Sequence, residues 1–239
     1  RRALVTGATG YIGGRLVPEL LDAGFTVRVL ARSPDRLRDR PWAEDVEVVA
    51  GDATDPASVA AAMQDVDVAY YLLHSLVEGV GFDELEATMA QTFADAARAS
   101  DVSRIVYLGG LTPPGTDTAE GSGTALSLHL ASRLRVGEIL RASGVPTAEL
   151  RAAVIIGSGS ASFEILRYLV ERLPVMVTPK WVATECQPIA IRNVLQYLVA
   201  CLDVEETTSA TFDIGGTDVV SYRELMRIMA EERGLRRRW

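Results

Sequence analysis

Glycines recur near the start of the chain in the segment TGATGYIG, from Thr6 to Gly13. The apolar run ALVTG leads into this segment and an amphipathic stretch from Ile12 to Ala23 follows it, so it joins a predicted strand to a predicted helix. In such a turn Gly7 permits a tight reversal, Gly10 lets backbone N–H groups approach a ligand, and Gly13 lets the helix pack on the strand. Because the N-terminus of a helix attracts anions, the pattern predicts a pyrophosphate site.

A pyrophosphate held in this way belongs to a dinucleotide, and we expect six residues of the turn to contact it. They are Gly7, Thr9, Gly10, Tyr11, Ile12 and Gly13. About 20 residues further on, an acid would bind the ribose 2'-hydroxyl of NAD, whereas an arginine accommodates the 2'-phosphate of NADP. The sequence there reads VRVLARS, with Arg32 and Ser33 in place of the acid. The residues therefore predict NADP(H) as the preferred cofactor, with NAD(H) possible.

The next strand ends in AGDATD, which offers a second contact for the nucleotide. Asp52 is expected to accept a hydrogen bond from the adenine amino group, and Ala53 leaves room for the ring. An alternative is that Asp52 caps a helix, a role that Asp55 before Pro56 fills better.

These residues need a scaffold that brings strand ends together. Short apolar runs alternate with helical patterns, and helices are expected at residues 12–23, 56–63, 82–100, 125–143, 161–172 and 191–202, with a last one from Tyr222. The alternation predicts an α/β fold, a doubly wound parallel sheet of the Rossmann type with a small C-terminal substrate lobe. We expect a single domain over residues 1–239, with residues 1–155 as the nucleotide-binding core and residues 156–239 mostly on the substrate side.

Charge and composition exclude several classes of function. A net charge of -8 and a pI near 4.9 disfavour nucleic-acid binding. No apolar run reaches the roughly 18 residues of a membrane span, and the two cysteines lack metal-ligand spacing, so we expect a cytoplasmic protein without a membrane partner. The chain starts without Met and stops in a basic run, which predicts a fragment of a longer chain.

Five segments together resemble a known family: TGATGYIG, VLARS, GDATD, PIAIRNV and TFDIGG. They are similar to the extended and atypical short-chain dehydrogenase/reductases, and most of all to the group described as predicted nucleoside-diphosphate-sugar epimerases, related to NmrA-like regulators. The resemblance implies a monomer or a homodimer, and a C-terminal domain that often follows. It also implies that the nicotinamide end of the cofactor lies beside Leu73, His74, Gly109, Arg133, Ala153 and Val154.

The catalytic residues of that family are replaced in this chain. Active members carry a Tyr and a Lys four residues apart on one helix face, and a Ser after the fifth strand. Here the helix reads HLASR, with His129 at the Tyr position and Arg133 at the Lys position, and YLGG puts Gly109 and Gly110 where the Ser is expected. An arginine is a permanent cation and cannot relay a proton. His129 could replace Tyr as the general acid, with His74 at the same sheet edge.

Other polar residues of the chain have more ordinary interpretations. Two histidines without a third ligand predict no metal site. Tyr70, Tyr71 and Tyr107 lie in strands and are expected to pack in the core. Glu149 and Arg151 are expected to form a surface pair. The run GSGSASF, residues 157–163, could bind a substrate phosphate or could simply end in a serine that caps a helix.

Three functions remain open on these grounds. The first is an NADP(H)-dependent oxidoreductase of the atypical short-chain class, acting on an unknown small carbonyl, quinone or sugar-like substrate. The alternative is a non-catalytic NADP(H)-binding redox sensor of the NmrA type, in which the cofactor orders the loop at residues 111–123. A nucleotide-sugar epimerase or dehydratase is the second alternative, and it would need the Tyr that is missing here.

Overall fold

The chain is described by a computed structural model that covers residues 1–74, 81–112, 127–173 and 180–236. The strands are β1 (Arg2–Thr6), β2 (Thr26–Ala31), β3 (Glu47–Ala50), β4 (Val68–Tyr71), β5 (Arg104–Gly110), β6 (Thr147–Ala152), β7 (Ile155–Ile156), β8 (Glu185–Cys186), β9 (Ile189–Ala190), β10 (Thr211–Ile214) and β11 (Val220–Ser221). The α-helices are α1 (Gly13–Asp22), α2 (Pro56–Met63), α3 (Phe82–Ala99), α4 (Leu128–Ala142), α5 (Ala161–Arg172), α6 (Ile191–Ala200) and α7 (Tyr222–Glu232).

Seven of the strands form the central sheet, in the order β10-β6-β5-β4-β1-β2-β3. Strand β1 pairs in parallel with both β2 and β4, and the pairs β2–β3 and β4–β5 are also parallel. The chain therefore builds outward from β1 to β3, crosses back to β4 beside β1, and builds outward in the other direction. This is the predicted doubly wound Rossmann arrangement, which the structure confirms. Ligands bind such sheets where the order reverses, beyond the carboxyl ends of β1 and β4.

The side chain of Thr6 ties these two strands together at the reversal. Its hydroxyl donates to the carbonyl of Tyr70 at 2.9 Å, and it accepts from the N–H of Leu72 at 3.3 Å. Thr6 is buried, so both bonds are shielded from water. The last residue of β1 thereby sets the position at which β4 leaves the sheet.

Local signals in the sequence explain where the helices begin and end. Asp55 caps α2 by accepting from the N–H groups of Ala57 and Ser58, with Pro56 at the first helical position. Helix α1 ends at Gly24, which adopts φ +83 and so takes the left-handed conformation that glycine tolerates best. The expected boundaries for α2 and α5 agree with the structure to the residue.

The chain divides into two compact units. The first contains Arg1–Arg151 and Leu195–Asp213, and the second contains Ala152–Val194 and Ile214–Trp239. Residues 195–213 belong to the nucleotide-binding side because β10 extends the sheet beside β6. The core of the first unit includes Tyr70, Tyr71 and Tyr107, which are almost fully buried, as the sequence predicted.

The expectation that Glu149 and Arg151 form a surface pair is wrong. Both residues are buried, at 1% and 5% exposure, and Arg151 Nε donates to Glu149 Oε1 at 2.9 Å. Arg141 pairs with the other carboxylate oxygen. Helix α4 packs over Glu149, since a Cβ on its Gly137 would lie 2.8 Å from Glu149 Oε1.

No helix within the described ranges combines the length and the apolar character needed to cross a membrane.

Candidate functional site

The glycine turn occupies the carboxyl end of β1 in the predicted conformation. Gly7 adopts φ +78, and a Cβ there would lie 2.7 Å from the carbonyl oxygen of Leu72. The N–H of Gly10 donates to the carbonyl of Gly7 at 2.9 Å and closes the turn. A Cβ on Gly13 would lie 2.7 Å from the carbonyl carbon of Gly7, so α1 packs against the turn more closely than a side chain allows. Gly7 and Gly13 therefore have the steric roles assigned to them from the sequence, and the approach of a ligand at Gly10 stays a prediction.

The start of α1 is suited to an anion because no side chain caps it. Ile12 occupies the N-cap position and makes no side-chain cap hydrogen bond, and the first turn of the helix contains no acid. The positive end of the helix dipole then faces the space beyond β1. A phosphate would accept hydrogen bonds from the N–H groups that a Ser, Thr or Asp cap binds in other helices. The residues fit a dinucleotide pyrophosphate, with Thr9, Gly10, Tyr11 and Ile12 in the turn.

The ends of β2 and β3 carry the residues expected to bind the adenosine half. Arg32 and Ser33 are both exposed immediately after β2. Asp52 follows β3 and accepts from both the N–H and the hydroxyl of Thr54, and these hydrogen bonds, helped by the charge of Arg32, lower the pKa of Asp52. The structure therefore brings Arg32 and Asp52 into one electrostatic environment. Ala53 is half-buried beside Asp52.

A polar cluster forms beyond the carboxyl end of β4. His74 follows β4, and its ring feels the charges of Arg133, Glu86 and His129. The ring of His129 stacks on that of Phe82 with centroids 6.4 Å apart and an angle of 16°. The two histidines and Arg133, which come from β4 and α4, are thus brought together as the sequence predicted. Leu73, just before His74, is partly buried and packs against the core.

Arg133 is held by the neighbouring strand. Its Nη2 donates to the carbonyl of Leu108 at 2.6 Å, and its own backbone carbonyl accepts from the hydroxyl of Tyr107 at 2.9 Å. Its Nε is buried and has no hydrogen-bond partner among the described residues. The guanidinium therefore keeps donor capacity toward the space beyond β5.

The same contacts explain why Gly109 and Gly110 stand where relatives have a serine. A Cβ on Gly110 would lie 2.9 Å from Leu130 Cδ1 and 3.4 Å from Arg133 Nε. A Cβ on Gly109 would lie 3.1 Å from Glu149 Oε1. Leu130 is thus the nearest obstacle to a side chain at position 110, and Glu149 is the nearest at position 109.

Sequence analysis missed two residues of this cluster, Glu86 and Ser132. Each is 2% exposed, and the hydroxyl of Ser132 donates to Glu86 Oε2 at 2.5 Å. Glu86 lies one helical turn after Phe82 in α3, just as Ser132 lies almost one turn after His129 in α4, so two matched contacts join the helices. One signal for this pair was present in the sequence: Glu86 lies among the apolar positions of α3, and a buried acid needs a partner.

The pKa of His74 provides a test of this environment. His74 is exposed on one side, and partial desolvation by the protein is the largest cause of a shift that lowers its pKa to about 4 from 6.5, with Arg133 and His129 acting in the same direction. We expect a histidine proton NMR titration to show one of the two histidines with a midpoint near 4. The folded chain keeps this ring neutral while the unfolded chain protonates it, so stability falls as the pH drops from 6.5 toward 4.

The variant His129→Gln assigns the remaining resonance to His74. Glu86 raises the pKa of His74, so Glu86→Gln is expected to lower the midpoint further. A wild-type midpoint at the ordinary value of a solvated histidine would contradict the clustered arrangement.

Ala153 and Val154 belong to the second unit. Val154 is buried and its carbonyl accepts from the N–H of Ile189 at 2.9 Å. Their placement beside the nicotinamide stays a prediction.

At the start of α5, the N–H of Gly159 donates to the carboxylate of Glu164 at 3.0 Å, and Ser160 donates to the carbonyl of Ile155 instead of capping. A carboxylate already occupies this helix start, which disfavours a phosphate there.

The expected mobile loop, residues 111–123, lies outside the described residues from residue 113 onward. Within the described ranges, no group of three or more His, Cys, Asp or Glu side chains is arranged to hold a metal ion.

A protein-family model described as NAD(P)H-binding matches residues 7–162, a span that begins in the glycine turn and includes both histidines and Arg133. The chain belongs to this NAD(P)H-binding family. The match covers most of the first unit, in agreement with the geometry of the turn and of α1.

Individual proteins also match the chain. A 3 beta-hydroxysteroid dehydrogenase/Delta 5-->4-isomerase of Mycobacterium tuberculosis is 41% identical over 70 residues, which are 29% of this chain and 18% of that protein. A (4-alkanoyl-5-oxo-2,5-dihydrofuran-3-yl)methyl phosphate reductase of Streptomyces griseus is 28% identical over 92% of this chain and 70% of its own length. The chain therefore matches less than a fifth of the steroid enzyme but most of the reductase.

Among solved structures, a short-chain dehydrogenase/reductase superfamily protein of Agrobacterium tumefaciens with bound NAD superimposes with a TM-score of 0.78. The superposition covers 98% of this chain and 84% of that one, at 17% identity. The shared fold and the family match confirm the expected resemblance to short-chain dehydrogenase/reductases and a nicotinamide cofactor. They leave the choice between NAD and NADP to the residues around the adenosine ribose.

Proposed function

We propose that this chain is an NADP(H)-dependent oxidoreductase that transfers hydride to or from a small carbonyl, quinone or sugar-like substrate. One observation supports the proposal: His74, beyond the carboxyl end of β4, interacts electrostatically with His129 and Arg133. Proton donors and a cation at the carboxyl edge of a Rossmann sheet are what carbonyl reduction requires. The names of the steroid dehydrogenase and the furanyl phosphate reductase support redox chemistry in this family.

The cofactor supplies or accepts the hydride at C4 of its nicotinamide ring. Reduction of a carbonyl then adds a C–H bond at carbon and leaves an alkoxide oxygen that takes up one proton. We assign that proton to His129 or to water, because an arginine stays charged at every accessible pH. His74, whose pKa lies near 4, is neutral at pH 7 and serves as a hydrogen-bonding partner.

In this mechanism Arg133 orients the cofactor or the substrate and stabilises negative charge. Its guanidinium is fixed by Leu108 and keeps a buried Nε–H. We assign this donor capacity to the nicotinamide ribose or to the developing alkoxide, where a fixed cation stabilises negative charge. The arginine would thus take over the electrostatic part of the Lys and the Ser found in relatives.

We propose a preference for NADP(H) over NAD(H) because Arg32 and Ser33 stand at the end of β2, where an acid would favour NAD(H). We expect the variant Arg32→Ala to lose about tenfold or more in NADPH affinity with little change for NADH, because a charge-assisted hydrogen bond to the 2'-phosphate is removed. Calorimetric titration of both nucleotides against wild type and variant measures this. Equal wild-type affinity for the two nucleotides would refute the preference.

Turnover separates the oxidoreductase from its main rival, a redox sensor that binds NADP(H) without chemistry. The absence of the usual Tyr, Lys and Ser favours the sensor, and an Arg133 side chain held by the Leu108 carbonyl with an unused buried Nε–H favours the oxidoreductase. We expect NADPH absorbance to decay with at least one member of a panel of aldehydes, ketones and quinones. Tight binding without decay across the panel would favour the sensor.

We further propose a small-molecule substrate, a monomer or homodimer in solution, and a cytoplasmic location, with no nucleic-acid or membrane partner. The acidic net charge supports the exclusion of nucleic acid.

A further inference from the structure

A short segment after β2 lies against the beginning of α1 and brings a cation to the phosphate turn. This segment, residues 34–45, contains the 3-10 helices Pro34–Leu37 and Ala43–Asp45. The side chain of Arg40 reaches back to α1, where its Nη2 donates to the carbonyl of Thr9 at 3.2 Å. Its guanidinium lies close to Gly14, whose missing side chain leaves the room: a Cβ there would lie 3.4 Å from Arg40 Cζ.

A defect in α1 explains why the segment docks there. Pro18 lies inside the helix and has no N–H to give to the carbonyl of Gly14, four residues earlier. That carbonyl accepts instead from Nε1 of Trp42 at 3.0 Å, and the indole is buried at 6% exposure. Leu37, at 1% exposure, anchors the other end of the segment. The position of Arg40, between these two anchors, is therefore determined by packing rather than by chance contact with solvent.

The charge of Arg40 has no counter-ion in the described part of the chain. No carboxylate there lies within ion-pair distance of it, whereas Arg38, two residues earlier, pairs with Asp35 at 2.7 Å. A half-buried guanidinium bound to one neutral carbonyl keeps several N–H donors for an anion. The neighbouring carbonyl belongs to Thr9, in the middle of the turn, and the chain runs from Arg32 directly into the segment.

We propose that Arg40 is a second cation for the 2'-phosphate of NADP(H), acting together with Arg32 as a determinant of cofactor specificity. The inference rests on the proposed function, because it deepens the NADP(H) preference assigned to Arg32. Arg32 is exposed and lies near the carboxylate of Asp52, which weakens its attraction for a phosphate. Arg40 supplies a second charge at the Thr9 carbonyl of the turn, on a segment held by Trp42, so less side-chain entropy is lost when the phosphate binds.

The test is calorimetric titration of NADPH and NADH against wild type, Arg40→Ala and Arg38→Ala. We expect Arg40→Ala to weaken NADPH binding about tenfold or more while NADH binding changes less than about threefold, the fold-change that loss of one charge-assisted contact predicts. Arg38→Ala removes the same charge from the same segment and is expected to leave both affinities unchanged. The fragments 2',5'-ADP and 5'-ADP repeat the comparison without the nicotinamide.

The outcomes separate this inference from the proposed function. If wild type prefers NADPH and Arg40→Ala keeps that preference, the role of Arg40 is overturned and the proposed function is not. A parallel loss of NADPH and NADH places Arg40 on the pyrophosphate or in the architecture of the turn, and also overturns it. If wild type binds both nucleotides equally, or binds neither, the NADP(H) assignment is overturned and this inference with it. Arg40→Lys, which keeps the charge, is expected to recover part of the preference and guards against a folding artefact.

Discussion

Replacement of Gly13 by alanine is expected to abolish measurable dinucleotide binding. The added Cβ would lie 2.7 Å from the carbonyl carbon of Gly7 and 3.0 Å from Ala8 Cα, and all of these neighbours are backbone atoms that no rotamer change can move. Either α1 moves away from β1 or the turn opens. Both displace the N–H groups that must meet the pyrophosphate, and misplaced donors lose most of their binding energy. We expect NADPH affinity to fall by about 100-fold or more, measured by calorimetry.

Gly24, at the other end of the same helix, offers a matched control. It adopts φ +83, and a Cβ there would meet nothing within 4 Å. Gly24→Ala should therefore cost roughly 1 kcal/mol of stability through backbone strain and leave NADPH affinity unchanged. If Gly13→Ala bound NADPH as wild type does, close packing of α1 on the turn would not be what builds the site.

Loss of the Glu149 carboxylate is expected to have the largest effect on stability. Glu149 is 1% exposed and receives Arg151 Nε at 2.9 Å and the guanidinium of Arg141. Thr211 Oγ1 lies 3.4 Å from its second oxygen. The carboxylate also fills the room above Gly137, where a Cβ would lie 2.8 Å from Oε1. Glu149→Leu removes the buried carboxylate that Arg151 and Arg141 share, and breaking a buried pair in this way costs about 3–5 kcal/mol.

Denaturant unfolding of wild type and variant gives this free-energy difference directly. Glu84→Gln is the control, because the ion pair of Glu84 with Arg135 is exposed and is worth at most about 1 kcal/mol. The double variant Glu149→Leu/Arg151→Met should recover part of the loss, since it removes the isolated charge as well. A Glu149→Leu chain as stable as wild type would show that Arg151 finds solvent or another acid.

Much of this protein follows from local patterns. The strand–turn–helix at Thr6–Gly13, the capping of α2 by Asp55 and the alternation of strands with helices are short-range features, each set by the conformations that a few residues allow. Because right-handed crossovers leave few ways to order parallel strands, the sheet topology followed from the same patterns. The convergence of His74, His129 and Arg133 was predictable for that reason, as the carboxyl ends of parallel strands meet at one edge.

Other features depended on contacts between residues far apart in the chain. Glu86 reads as an ordinary polar residue of α3 until Ser132 is packed against it, 46 positions later. Glu149 and Arg151 read as a surface pair because nothing local shows that Gly137 of α4 packs against Glu149. Arg40 reaches Thr9 only because Pro18 leaves the Gly14 carbonyl free for Trp42. The sequence by itself determined the glycine turn at which we expect an anion to bind, because the turn depends on local backbone conformation. Tertiary packing decided which charges are buried and which are compensated, because those contacts join residues far apart in the chain.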